Sequence, residues 1–328
     1  MKINKRIELV RASKSKFSSM SPGPSRAIMK ILKKKYSSVN FTEISCLDDL
    51  EILIMRKPDL VFLTVKQIPI SDDDESQMIW VSDVLQNAGI NHTGSLGAAI
   101  SLDFDKTKAK DKVNSAGLKT TEYFITKPGD YKSEELLPIS FPLFIKPTSL
   151  GNKKGVDAES VVHNYSDYVS KVQSLSTNFN SKSLVEPFLS GREFSVAVFE
   201  NHDTQTLNSM PIEIVIGANI NGDRILGTTA DSGDDEVVSI VDNKKLHRSL
   251  QVLAEGVFRA LDARDYGRID IRLNGFGEPQ FLEANLIPGL STSSFFPIAN
   301  KMYNNLNHDE TILQIVATAF GRQTADKI

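Results

Sequence analysis

The stretch Tyr266–Pro297, YGRIDIRLNGFGEPQFLEANLIPGLSTSSFFP, alternates charged and apolar residues in two runs separated by a turn. Asn274-Gly275-Phe276-Gly277 supplies the turn and Pro279 closes it, so the stretch predicts a β-hairpin. Side chains alternate across a strand, which puts Arg268, Asp270 and Arg272 on one face and Ile269, Ile271 and Leu273 on the other. On the return strand Glu283 and Asn285 share a face, backed by Leu282 and Ala284. If the two polar faces coincide, several oxygen ligands and a guanidinium converge on a small volume. Hard oxygen ligands of this kind suit Mg²⁺. Alternating charge on strands also marks ordinary solvated faces. Against that plain reading, Asn285 is a poor strand residue inside an apolar run. A hydroxyl-rich glycine turn, Pro288-Gly289-Leu290-Ser291-Thr292-Ser293-Ser294, follows at once. On spacing alone both readings stay open.

Outward from this hairpin, the chain of 328 residues is long enough for two or three domains. Hydrophobic residues make up 40% and charged residues 24%, the balance of a globular protein. A net charge of −3 gives no electrostatic reason to expect a nucleic-acid partner. No apolar run approaches the ~18 residues of a membrane span. The amino terminus, MKINKRIELV, lacks a signal-peptide core, so a cytoplasmic location is the default. The single Cys46 excludes an internal disulfide and a cysteine-rich metal site.

Strands at 3–10, 39–44 and 59–64 alternate with helices ending near Lys35, at 47–56 and at 79–88, which predicts a parallel, doubly wound sheet. The acidic run Asp72–Glu75 reads as solvated, and the GxGxxG fingerprint of a dinucleotide site is absent. Asp105 caps a helix that stops at Gly117, with Lys106 in its first turn, a poor place for a cation unless an anion sits nearby. Phe141–Pro147 is an apolar strand carrying Lys146, followed by the Gly/Ser loop Thr148–Gly155. Such a loop can wrap phosphates or be a plain hairpin loop, and no GxxxxGK[ST] motif occurs. Ser183–Phe188 is an apolar strand with Glu186 near its end, and Leu189–Arg192 turns into the strand Glu193–Phe199. Gly222–Glu236 reads as a mobile loop, Lys244–Leu261 as an amphipathic helix, and about 309–320 as a closing helix.

GRIDIRL followed by FLEANLIPGLSTSSFFP resembles the carboxyl-terminal signature of D-alanine–D-alanine ligases of the ATP-grasp superfamily. The order lysine, glycine loop, Glu-Pro-Phe-Leu, glutamate is similar to that family's order from about Thr93 onward. The resemblance implies an α/β chain, α+β in its ATP-binding part: an ATP-grasp fold behind an N-terminal Rossmann-like parallel-sheet domain. It implies a substrate-side domain at 1–103, a central subdomain with the lid loop at 104–189 and a C-terminal subdomain at 190–328. Asp270, Glu283 and Asn285 would hold two Mg²⁺ ions, or Mn²⁺ in their place. Arg268 would stabilise the transferring phosphoryl group, the Gly289 N–H an oxyanion, and Ser294 would meet the second substrate's carboxylate. ATP would be held by Lys106, Lys146 and the lid residues Gly151, Asn152, Lys153 and Gly155. Glu186, Pro187, Phe188 and Leu189 would clasp adenine, and Glu193 the ribose. The implied activity joins an amino-acid-like carboxylate and amine through an acyl phosphate, and by analogy the protein is a homodimer.

On the substrate side the chain departs from the family. The first strand runs into Val10-Arg11-Ala12-Ser13-Lys14-Ser15-Lys16, without the family's glutamate, and the third into Val65-Lys66-Gln67-Ile68-Pro69, without its histidine and glycines. The loop at 222–236 lacks the family's Lys-Tyr pair. A basic lip of Arg11, Lys14 and Lys66 would favour an anionic first substrate over an ammonium. The expectation is a ligase with a changed acid substrate; authentic D-alanine–D-alanine ligation is the second reading, and an ATP-binding scaffold or sensor the alternative of another class.

Overall fold

The computed structural model describes residues 1–149, 154–218, 222–225 and 236–325. The chain opens with β1 (Ile3–Ala12), α1 (Pro22–Lys35), β2 (Tyr36–Ile44), α2 (Leu47–Met55) and β3 (Leu60–Leu63). These strands form a parallel sheet in the order β2-β1-β3. Strand alternation decides what each face buries: Leu60 and Phe62 pack with Ile28 and Leu32 of α1, while Val61 and Leu63 pack with Leu50 and Leu53 of α2. Helices on both faces make the sheet doubly wound, as the alternating pattern predicts.

The next segment differs from the sequence expectation. β4 (Gln67–Ser71) and β5 (Asp74–Trp80) form an antiparallel hairpin, and α3 begins only at Val81 (Val81–Asn87). Ile79 and Trp80, expected in the helix, are strand residues. The acidic turn is not merely solvated: Lys14 lies 3.1 Å from Asp72 and 3.2 Å from Glu75, and Lys16 also pairs with Glu75. Arg11 is buried against Glu43 at 2.8 Å, and Lys66 is paired with Asp103 at 2.8 Å. The expected basic lip is thus neutralised cation by cation, because each lysine or arginine has folded onto a carboxylate.

After α4 (Gly97–Ile100) and α5 (Lys106–Ser115), β6 (Phe124–Thr126), β7 (Leu143–Pro147), β8 (Val161–Val162), α6 (Tyr165–Phe179) and β9 (Ser183–Pro187) follow. The strands form a sheet in the order β6-β9-β7-β8, whose core includes Ile145, Val185 and Leu175. β10 (Glu193–Asn201), β11 (Thr206–Val215), β12 (Val237–Ile240), α7 (Lys244–Ala260), β13 (Tyr266–Leu273) and β14 (Pro279–Asn285) build the largest sheet, ordered β12-β11-β10-β13-β14. α7 lays Leu250, Leu253 and Val257 on one side of it, as the helical spacing predicts. Ala109 and Val113 of α5 pack into the same core. α8 (Phe295–Asn304), which the sequence reading did not anticipate, and α9 (His308–Ala325) cover the other side with Phe296, Ile312 and Val316. Among the described residues no helix is long and apolar enough to cross a membrane.

Candidate active site

The hairpin forms where it is predicted. β13 and β14 pair antiparallel, with Arg268 opposite Asn285 and Asp270 opposite Glu283. The register shifts between Asp270 and Ile271, so Leu282 has no partner of its own on β13. This bulge corrects the expected underside: Leu282 lines the cavity beside Glu283, while Phe281 and Ala284 enter the core. Arg268 grips Asp270 with two bonds, Nε to Oδ1 at 3.0 Å and Nη2 to Oδ2 at 2.8 Å. Ser195 Oγ donates to Oδ1 at 2.7 Å and Asn285 Nδ2 to Oδ2 at 3.1 Å. The guanidinium also lies 5.6 Å from the Phe295 ring. Bidentate geometry fixes the arginine's plane as well as its charge.

This face closes a cavity of about 440 Å³ between the β13–β14 hairpin and the sheet of β7 and β9. Lys146 reaches it from β7 and Lys106 from the first turn of α5, where Asp105 caps the helix through the Lys108 N–H. Beside Lys146 lies Glu186, 2% exposed. Its Oε2 meets Lys146 Nζ at 2.6 Å, and its Oε1 meets Lys110 Nζ and Thr121 Oγ1, each at 2.5 Å. Burial opposes ionisation of this carboxyl, but Lys110 and Lys146 outweigh it and hold its pKa down to about 2. Burial likewise works against ionised Glu283, and Lys106, Lys146 and Arg268 pull its pKa below the usual carboxylate range. Burial lowers the Lys106 pKa, with Glu283 opposing.

Pro187, Phe188 and Leu189 line the cavity beyond Glu186. The Phe188 N–H is already bonded to Pro142 O at 2.9 Å, and its ring lies 5.1 Å from the Arg272 guanidinium. Glu193 also lines the cavity, with Arg272 Nη1 donating to it at 3.2 Å. Gly289 borders the cavity at the other end. Ser294 is not among the lining residues: its Oγ lies 2.8 Å from Ser291 Oγ and accepts from the Ser291 N–H at 3.2 Å, closing the turn before α8. Gly155 stands back from the cavity at φ +77°, where a side chain would strike Pro147, while neighbouring Lys154 lines it. Gly151, Asn152 and Lys153 lie outside the described residues, as does most of the 222–236 loop. Lys16, Phe17, Ser18, Ser19, Lys66 and Phe104 supply a further wall, of which the sequence reading places only Lys66, as part of the basic lip on the substrate side. Lys110 was also missed, although its i+4 spacing from Lys106 on one helix was the available signal.

Asp270, Glu283 and Asn285 put two carboxylates and an amide oxygen on one cavity wall. That donor chemistry fits Mg²⁺, which takes oxygen ligands and usually keeps part of its shell for water and phosphates. Asp270, already bound by Arg268, would share its oxygens with such an ion.

Comparison with known proteins bears on the fold and the family. Residues 113–316 match the family described as D-ala D-ala ligase C-terminus. The chain is 29% identical over 234 residues to the uncharacterized protein y4sG of Sinorhizobium fredii, covering 69% of this chain and 65% of that one. It is 24% identical to the D-alanine–D-alanine ligase of Hydrogenovibrio crunogenus, covering 72% of each chain. Its fold superposes on the crystal structure of the Bacillus anthracis D-alanine–D-alanine ligase complexed with ATP with a TM-score of 0.75, at 18% identity over 99% of both chains. With an ATP-grasp fold and a family match over 113–316, the chain belongs to the D-alanine–D-alanine ligase family of ATP-dependent, ADP-forming ligases.

Proposed function

We propose that the protein joins a carboxylic acid to an amine through an acyl phosphate, and that its acid is not D-alanine. The observation that carries this reading is the convergence of Arg268, Asp270, Glu283 and Asn285 with Lys106 and Lys146 on one cavity. A carboxylate oxygen attacks the γ-phosphorus of ATP and ADP leaves; the amine then attacks the acyl carbon, loses a proton, and phosphate leaves. Lys106, Lys146 and Arg268 neutralise the phosphoryl oxygens. Glu186, Pro187, Phe188 and Leu189 flank adenine and Glu193 meets the ribose. Two Mg²⁺ ions held by Asp270, Glu283 and Asn285 would supply further charge neutralisation. The Gly289 N–H serves the oxyanion, and Ser294, once its Oγ is released from Ser291, the second substrate's carboxylate. The division into units at 1–103, 104–189 and 190–328, and a cytoplasmic setting, belong to the same proposal.

The changed acid is supported by the wall that residues 16–19, Lys66, Asp103 and Phe104 form. Its aromatic rings are Phe17 and Phe104, and its carboxylate, Asp103, is taken up by Lys66 and the Leu286 N–H. Among the described residues of that wall no carboxylate is left over for a substrate ammonium. Authentic D-alanine–D-alanine ligation is the second reading, favoured by the name of the Hydrogenovibrio relative. The test incubates purified protein with Mg²⁺–ATP and follows ADP and phosphate release and product mass. D-Alanine alone is compared with pairs of other acids and amines. Release only with another pair is expected. Release with D-alanine alone, giving its dipeptide, would reverse the order of the two readings. Tight ATP binding without release in any mixture would sink both.

A further inference from the structure

Lys110 is a buried charge to which the reaction scheme above gives no part. Its side chain is 0% exposed and it does not line the cavity. Its Nζ lies 2.5 Å from Glu186 Oε1, 2.8 Å from Thr121 Oγ1, 3.0 Å from Thr120 Oγ1 and 3.4 Å from Phe281 O. A lysine that deep is rare and needs a reason. The reason lies on the far side of its partner. Glu186 has one oxygen on Lys110 and the other on Lys146, and Lys146 faces the cavity. One carboxylate between two ammoniums leaves one net positive charge. Without Lys110, Glu186 would cancel Lys146 and the cavity wall would be neutral there. Lys106 and Glu283, also on the cavity wall, are of opposite sign. Coulomb interactions are strong in such a site because little water screens them.

We propose that Lys110 is a positioning residue for the anionic part of the nucleotide: from behind Glu186 it leaves the charge of Lys146 available to phosphate oxygens that Lys110 itself never touches. The inference rests on the nucleotide reading of the cavity. Lys110 also ties Thr120 and Thr121 to Phe281 on the metal-side strand, so a plain structural role must be told apart from an electrostatic one.

Charge compensation separates them. Calorimetric titration with Mg²⁺ and either inorganic tripolyphosphate or ATP would compare the wild type, Lys110→Met and the double variant Lys110→Met/Glu186→Gln. Tripolyphosphate has no adenine, so the loss of a contact from Glu186 to the base does not enter. Removing Lys110 alone should weaken tripolyphosphate binding at least about tenfold. Removing Glu186 as well restores the net charge and should bring affinity back to within about threefold of wild type. If Lys110→Met binds like wild type, or the double variant stays as weak as the single, the proposal is overturned while the nucleotide reading stands. If the wild type binds neither probe, the nucleotide reading itself fails and the proposal with it. Should Lys110→Met fail to fold, the double variant, whose buried pair is neutral, still decides. Near wild-type tripolyphosphate affinity supports the proposal, and a tenfold loss overturns it.

Discussion

Arg268 holds both oxygens of Asp270, and its guanidinium is in turn fixed beside Phe295. A donor fork held in place needs no reorganisation when charge develops on a transferring phosphoryl group. Replacing Arg268 by Ala should therefore lower kcat by about 10²–10³, equivalent to about 3–4 kcal/mol of barrier, with a smaller change in KM for ATP. Lysine should recover little of the loss, because a point charge cannot make both bonds to Asp270. ADP release with the active substrate pair, alongside a melting curve for each variant, measures this; near-normal turnover of a folded Arg268→Ala protein would refute it. The four residues Arg268, Asp270, Glu283 and Asn285 were legible because strand alternation is local and strict. Leu282 was not, since a bulge is a choice made by the pairing of two strands. The pairing of Lys110 was not either, for although its i+4 spacing puts it on the face of Lys106, its partner Glu186 belongs to a distant strand that only the fold brings near.

The elements that carry the site are held against one another more tightly than their own sequences indicate. The turn from β9 to β10 passes so close to the end of β13 that a Cβ on Gly191 would lie 2.4 Å from Leu273 O. Leu273 N–H donates to Arg192 O at 3.0 Å, and Arg272 Nε to Gly191 O at 3.1 Å. Backbone stands on both sides of this contact, so neither can yield by a side-chain rotation. Gly191→Ala should cost about 1–3 kcal/mol of stability through this overpacking. It should also raise the Kd for ATP severalfold, because the Arg272–Glu193 pair sits on the displaced strands. Gly275→Ala, in the hairpin turn with nothing within 4 Å of its Cβ, is the control and should stay within about 0.5 kcal/mol of wild type. Urea unfolding and nucleotide titration of the two variants test the pair, and equal stability would sink the argument. At this scale regular periodicity was readable: β1, α2, α7 and the hairpin lie within a few residues of their expected positions. The β4–β5 hairpin was not, because its second strand, DESQMIW, has no clean alternation and runs straight into helix α3. α8 was hidden for a related reason, since it follows a hydroxyl-rich turn with no side-chain cap bond from Ser294.

Across the whole molecule the first sheet and the largest one are joined by a buried polar knot that no local pattern could have revealed. Asp265, at the foot of β13, accepts from Gly94 N–H at 2.8 Å, from Arg322 of α9 at 2.5 Å, and lies 3.0 Å from His202 Nε2. Arg322 also donates to Asn91 Oδ1 and His92 O, both at 2.7 Å. With Glu200 and His202 this knot gathers ligand types that suit a metal, yet the guanidinium bound to Asp265 already supplies the counter-charge. At its centre His92 is 0% exposed, and Arg264 Nη2 donates to its Nε2 at 3.0 Å. Burial, then the neighbouring Arg264 and Arg322 charges, push the imidazole pKa down to about 3, with Asp265 opposing weakly. The unfolded chain takes up that proton near the ordinary histidine value of about 6.5. Below that pH the unfolded state binds a proton the folded state refuses, so stability falls by about 1.4 kcal/mol per pH unit. Asp265 itself is held below the usual carboxylate range: burial opposes ionisation, but His202 and Arg322 outweigh it. The stability that Asp265 contributes is present above its unfolded pKa of about 4 and is lost only below that, so between about pH 6 and 4.5 the slope difference reports His92. Urea unfolding across that window should show His92→Gln, which can still accept from Arg264, with a slope shallower than wild type by about one proton. Parallel slopes in the two proteins would place the acid sensitivity elsewhere and leave His92 as packing alone.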